Sequence, residues 1–169
     1  SNTLYAVKAS CKDKWLHLGA CTSTSDEDAR ITQTVGELEE ANKLNPIRWK
    51  IRVDVAVSTN IFVGLAQSTC SRHHLIGTGF DSWGIHFSKM RRFHQGVEIP
   101  GIYGDGTTLK TGDIIELMLD GGILSTSING KQLGPAFTDI PRGDALYPAI
   151  SFCNKDDQLS FILPEGEEE

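Results

Sequence analysis

The chain has 169 residues, 39% of them hydrophobic and 22% charged, with a formal net charge of −6. That length suits one domain burying roughly 70% of its unfolded surface, and no apolar run approaches the roughly twenty residues a membrane helix needs. The negative balance argues against nucleic acid as a partner, since phosphate contacts need clustered Lys and Arg, and no membrane association is expected.

In chain order, the opening Ser1-Asn2-Thr3 has neither the basic region nor the apolar core of a secretory leader, and the absent initiator Met reads as a piece of a larger protein. Leu4 to Ala9 is a short first strand and Trp15 to Leu18 a second, alternating apolar and polar. Thr22 to Asp28 is a polar, acidic loop. Ile31 to Val35 alternates again, with β-branched residues that favour a strand. Glu37 to Asn45 is the one stretch with helical character, a short helix or a structured loop that stops before Pro46.

Ile47 to Val57 is the cleanest strand. Ile47, Trp49, Ile51, Val53 and Val55 alternate with Arg48, Lys50, Arg52 and Asp54, so one face is buried and the other wet. A one-residue slip would bury three cations at prohibitive desolvation cost. Ser58-Thr59-Asn60 turns the chain into the apolar run Ile61 to Ala66. After a loop from Gln67 to His74, Leu75-Ile76-Gly77 is expected as a short strand, and Trp83 to Phe87 as another with Trp83, Ile85 and Phe87 inward. Lys89 to Gly101 reads as a basic, then turn-rich segment, its charges solvated. Tyr103-Gly104-Asp105-Gly106 is a tight loop.

The stretch from Gly112 to Phe137 then gives three consecutive antiparallel strands. An apolar run from Ile114 to Leu119 ends at the turn Asp120-Gly121-Gly122, and a second run, Ile123 to Ile128, ends at Asn129-Gly130. Both residues of an Asn-Gly step accept the left-handed conformations of a type I′ turn, which makes this the strongest short hairpin signal available. Leu146 to Phe152 and Leu159 to Leu163 close the fold around the polar tip Asn154-Lys155-Asp156-Asp157. Residues 1–163 are thus expected to form one domain, and 164–169 an acidic, disordered tail. Many short strands and almost no helix describe a β-sandwich or barrel.

The meander resembles the most recognisable part of the SPRY family. Gly112, Asp113, Leu119, Asp120, Leu124, Asn129, Gly130, Leu133, Gly134, Ala136 and Phe137 stand where its pattern asks, flanked by Ser82-Trp83-Gly84-Ile85, Phe62-Val63-Gly64-Leu65-Ala66 and Leu146-Tyr147-Pro148-Ala149-Ile150. The match runs in order over residues 47 to 163. It implies an all-β fold, a two-sheet antiparallel sandwich of concanavalin-like topology with at most one short helix. Thr126 departs from the pattern, which usually has a large aromatic there, so that part of the core is expected to be packed by a neighbour.

A search for chemistry finds no Gly-x-Ser-x-Gly elbow, no phosphate loop and no His-Glu-x-x-His. The carboxylate pairs Glu39-Glu40 and Asp156-Asp157 are adjacent residues that point apart, whereas a glycosidase needs two carboxyls facing each other across roughly 5 to 9 Å. Cys70, His73 and His74 lack a second ligand pair nearby, and Cys153 or His94 would complete a zinc site only through the fold. The four cysteines, Cys11, Cys21, Cys70 and Cys153, allow two disulfides by count. They are too sparse for a disulfide scaffold and read better as free thiols in a reducing compartment. Neither catalysis nor a cofactor or metal is expected.

What the resemblance implies is recognition by loops. In relatives the loops at one edge form a shallow pocket for a short peptide or protein epitope. By position this gives the turn after Ile31 to Val35, the loop Ser68 to His74 and the tip Phe152 to Asp157. The side chains offered are Gln33, Glu37, Arg72, His73, Asn154, Lys155 and Asp156. They differ from the best-known peptide-binding branch, which has an aromatic at the place of Arg72 and a Trp-Gly step at Asn154-Lys155. Arg72 and Lys155 favour an acidic or carbonyl-rich epitope. The expected molecule is a monomeric intracellular interaction domain, cytoplasmic or nuclear, serving as a ubiquitin-ligase substrate adaptor or a scaffold. The rivals are carbohydrate binding or glycan processing on the same sandwich, which needs Trp49 and Trp83 on an open face, and a purely structural role inside the parent protein.

Overall fold

The structure, a computed structural model, describes residues 8–10, 15–17, 47–56, 61–67, 76–106, 108–141, 146–152 and 158–162. Every regular element among them is a strand: β1 (Lys8–Ser10), β2 (Trp15–His17), β3 (Ile47–Val55), β4 (Ile61–Ala66), β5 (Ser82–His86), β6 (Arg91–His94), β7 (Val97–Ile99), β8 (Ile114–Asp120), β9 (Ile123–Ile128), β10 (Lys131–Phe137), β11 (Tyr147–Phe152) and β12 (Gln158–Ile162). They form two six-stranded sheets, with orders β1-β12-β3-β8-β9-β10 and β2-β11-β4-β5-β6-β7. Every pairing is antiparallel. The expected two-sheet sandwich is the one observed.

The period-two pattern explains which faces meet. On β3, Trp49, Ile51 and Val53 are buried while Arg48, Lys50 and Arg52 are exposed. The buried set continues through Ile115, Leu117 and Leu119 of β8 and Leu124 and Ile128 of β9, and packs against Ile61, Val63 and Leu65 of β4 and Trp83 and Ile85 of β5. Each such side chain taken out of water contributes roughly 1.5–3 kcal/mol, and burying the outward cations instead would cost far more, so the register has one solution. Phe87 follows β5 and is fully buried, its N–H donating to the Ile61 carbonyl at 2.9 Å.

The meander forms as expected, and the geometry shows what its signature residues do. Asn129 and Gly130 take φ of 52° and 85°, a two-residue turn that brings Lys131 opposite Ile128. The Asn129 side chain accepts from the Ile114 N–H at 2.9 Å and donates to Asp113 Oδ1 at 2.9 Å, while Asp113 Oδ2 accepts from the Lys110 N–H at 2.8 Å. The Gly-Asp and Asn-Gly steps are therefore two halves of one clamp that ties the start of β8 to the β9–β10 turn.

Thr126 is buried at the position where the family usually has an aromatic, and the neighbour that fills the space is Tyr103. The Tyr103 hydroxyl donates to the Gly134 carbonyl at 2.5 Å and lies 2.7 Å from Thr126 Oγ1. Its single proton goes to the carbonyl, so the Thr126 hydroxyl is the donor between the two. Burial pushes the Tyr103 phenol up from its ordinary value, against the opposing effects of Thr126 and Arg92.

Two expectations are corrected. Ile76 and Gly77 form a turn rather than a strand. Gly77 has φ of 96°, its N–H donates to Ser82 Oγ at 2.7 Å and its carbonyl accepts from the Gly96 N–H at 2.8 Å, so neither group is available to a ladder. The basic segment after Lys89 is not a solvated loop: Arg91–His94 and Val97–Ile99 pair through a Gln95-Gly96 turn with φ of 59° and 73°. Arg91 is ion-paired with Glu98 at 2.7 Å. The expected strand Ile31 to Val35, the segment Glu37 to Asn45, the tail 164–169 and all four cysteines lie outside the described residues.

Candidate functional site

All seven residues expected to bind a partner, Gln33, Glu37, Arg72, His73, Asn154, Lys155 and Asp156, lie outside the described residues. The structure describes the scaffold from which two of their three segments depart. In the β4–β11 ladder Tyr147 pairs with Ala66 and Phe152 with Ile61. The segment after Ala66 therefore leaves one end of the ladder and the segment after Phe152 leaves the other. Register alone separates them.

The outer face of this sheet works against that separation. Along β4 every residue is buried, because Phe62, Gly64 and Ala66 are covered on the side facing away from the core. The cover is Ile76, which is 1% exposed and clusters with Phe62, Ala66 and Ala149, with Phe93 at its margin. Ile76 thus lies over the middle of the sheet. Phe62, its neighbour, pairs with Ser151, one residue before β11 ends. Arg72 and His73 precede this anchor by four and three residues.

The close approach requires glycine. Gly64 and Gly84 face each other across the β4–β5 ladder. A Cβ on Gly84 would stand 2.6 Å from the Ile76 carbonyl oxygen, and one on Gly64 would stand 1.9 Å from the Trp83 carbonyl oxygen. Further bonds fix the segment. The Gln67 N–H donates to the Asp81 carbonyl at 2.7 Å, and the Gln95 N–H to the Gly79 carbonyl at 3.1 Å. The end of the loop is thereby built into the sheet and the β6–β7 turn.

Beside Ile76 is an aromatic group. Phe62 and His86 stack with centroids 4.3 Å apart and planes within 1°, and Phe93 tilts onto Phe62 at 5.9 Å. His86 Nε2 is 2.8 Å from Ser88 Oγ. Burial, and next the charge of Lys89, hold the His86 imidazole below its ordinary value of 6.5. The unfolded chain takes up this proton first, so the stabilisation from neutral His86 is complete above pH 6.5 and is lost as the pH falls from there toward the depressed value. His86→Phe keeps the stack and cannot titrate. Its denaturation midpoint is expected to depend less on pH across that window than the wild type's, and identical pH profiles would remove His86 from the account.

Trp49 and Trp83 are 3% and 4% exposed, inside the core and not on an open face. Among the described residues no group of three or more His, Cys, Asp or Glu side chains could hold a metal. His94 stacks on Trp83 with centroids 4.7 Å apart and has Nδ1 2.7 Å from the Ser82 carbonyl. Cys70, His73, His74 and Cys153 are not among the described residues. No described helix is long and apolar enough to cross a membrane. The sequence alone did not reveal the inward turn of Arg92; the available signal was the Gln95-Gly96 step, a two-residue turn joining Arg91–His94 to the alternating Val97-Glu98-Ile99.

Comparison with known proteins is consistent with this geometry. A family model described as "SPRY domain" matches residues 47–166. The chain is 34% identical over 104 residues to "SPRY domain-containing SOCS box protein 2" of Mus musculus, covering 55% of this chain and 39% of that protein. It is 28% identical over 124 residues to "F-box/SPRY domain-containing protein 1" of Culex quinquefasciatus, covering 68% of this chain and 47% of that one. The chain thus spans less than half the length of these curated relatives. The solved SPRY domain of human HERC1 superposes with a TM-score of 0.60 at 20% identity, over 72% of this chain and 77% of that one. A second human SPRY domain gives 0.59 at 17% identity over 100% and 89%. At those identities the likeness is one of fold.

Proposed function

The chain belongs to the SPRY domain family, and on that footing we infer that it is a non-catalytic module gripping a short peptide or protein epitope with loops at one edge of the sandwich. The observation that carries this reading is the anchoring of residues 76–81 across the outer face of the β4–β5 sheet, which brings the end of the loop to Ile76 over the middle of the ladder, among Phe62, Ala66 and Ala149. That anchor supports a convergence of Arg72 and His73 with Asn154, Lys155 and Asp156, with Gln33 and Glu37 at the rim. Segments held at their ends by packing and hydrogen bonds lose little entropy on binding, so a small surface suffices. Arg72 and Lys155 select an acidic or carbonyl-rich epitope.

The domain acts as a monomeric unit of a larger intracellular protein, as substrate adaptor for ubiquitin transfer or as a scaffold. The SOCS box and F-box in the names of its relatives support the adaptor role. Carbohydrate binding on the same fold gains nothing from the buried Trp49 and Trp83.

Affinity capture from cell extract tests the loops. The Arg72→Glu/Lys155→Glu variant is expected to recover its specific partners at least about tenfold less well than the wild type, a loss of about 1.4 kcal/mol or more. An unchanged set of partners at unchanged recovery would discard the loop assignment, and retention on a glycan array would favour the carbohydrate reading.

A further inference from the structure

On the open side of the sandwich, where the terminal strands β7 and β10 of the two sheets come together, lies a groove of about 320 Å³. Its walls include Trp83, Ile99 and Pro135, and its polar groups include Arg92, His94 and Asp139.

Arg92 is the unusual member. On β6 it pairs across the ladders with Ile85 and Ile99, which puts it on the inward face of the sheet at the edge of the core. Its Nη1 donates to the Ala136 carbonyl at 3.3 Å and its Nη2 to the Pro100 carbonyl at 3.2 Å, both long. Its Nε–H is buried without an acceptor among the described residues. The guanidinium carbon lies 5.6 Å from the Tyr103 ring centroid. Carbonyls and a ring face hold a cation in place but supply no countercharge. By contrast, Arg52 is paired with Asp54, Arg91 with Glu98 and Lys131 with Asp105. A half-buried guanidinium whose donors are under-used fits a planar carboxylate, because the two groups match as forks, and Asp139 in the same groove disfavours a more highly charged anion.

The other polar groups refine the ligand. A carbonyl cannot donate, so His94 Nδ1 carries the proton toward Ser82 and Nε2 of the neutral ring is an acceptor. Asp139 is an acceptor as well. We propose that this groove is a second binding site, which takes a carboxylate presented together with an N–H, as in one acidic residue or the carboxyl terminus of a peptide. The carboxylate meets the guanidinium of Arg92, the N–H turns to His94 or Asp139, and the apolar walls cover the connecting carbons.

Titration of the isotope-labelled domain followed by NMR tests this with three probes. N-acetylglutamate N-methylamide stands for an internal acidic residue, N-acetylglycine for a chain end, and N-acetylglutamine N-methylamide is the neutral control. Saturable shifts are expected at the Arg92 Nε–H, the Trp83 indole and the Thr138 and Asp139 amides with at least one carboxylate probe, and the tighter of the two identifies the source. The glutamine control and the Arg92→Lys variant should bind at least about tenfold more weakly. Thr138→Trp, a change at an exposed position, fills the groove while leaving residue 92 an arginine and should abolish the shifts even if Arg92→Lys proves unstable. Non-saturating shifts with both carboxylates, equal binding of the neutral control, or full binding by Thr138→Trp would each overturn the proposal.

Discussion

Gly64→Ala is expected to destabilise the domain by about 3 kcal/mol or more, although it adds one methyl group. The added Cβ would sit 1.9 Å from the Trp83 carbonyl oxygen, an atom fixed in the neighbouring strand and unable to rotate away. The β4–β5 ladder would have to open where Gly64 meets Gly84 and where Ile76 crosses the face. Gly121→Ala is the control. Gly121 has φ of 60° and nothing within 4 Å of the added carbon, so it carries only the left-handed backbone penalty of about 1 kcal/mol. Urea unfolding should show a much larger fall in midpoint for Gly64→Ala, at similar slope. Equal losses for the two variants would mean that the face of the sheet is looser than described.

Tyr103→Ala is the second large effect, about 3–5 kcal/mol, the range for truncating a buried aromatic. Tyr103 occupies the space left by a threonine at position 126, and its removal also strands the Thr126 hydroxyl and the Gly134 carbonyl. Tyr103→Phe separates the contributions: packing is kept and only the hydroxyl goes, so a loss of about 1–3 kcal/mol is expected. Combining Tyr103→Ala with Thr126→Phe should recover part of the loss, since an aromatic is then supplied from β9 instead. Additive losses in the double variant, measured by denaturant unfolding, would show that the two positions do not share one space.

These two sites illustrate different degrees of legibility. The departure at Thr126 was visible against the family pattern, and so was the consequence that a neighbour must pack there. Tyr103 could not be singled out, because it lies 23 residues away in sequence and reaches Thr126 only through the fold. The glycines of β4 and β5 stood in recognisable motifs, but what excludes a side chain there is tertiary: the Trp83 carbonyl across the ladder for Gly64 and the Ile76 carbonyl above the sheet for Gly84. The seven expected binding residues came from position in a resembling family, and the described residues bear on them only through the anchors of two of the three segments.

Local periodicity was enough to fix β3, β5 and the β8–β9–β10 meander, the inward faces of β3 and β5 and the Asn129-Gly130 turn, because alternation and left-handed turn residues act over two to four neighbours. Only the tertiary structure decided that Ile76 closes the outer face of a sheet and that Arg92 turns inward beneath β10. Both depend on partners remote in sequence, Phe62 and Ala149 for one and the Ala136 carbonyl for the other. Burial and countercharge are properties of surroundings that no short stretch of chain contains.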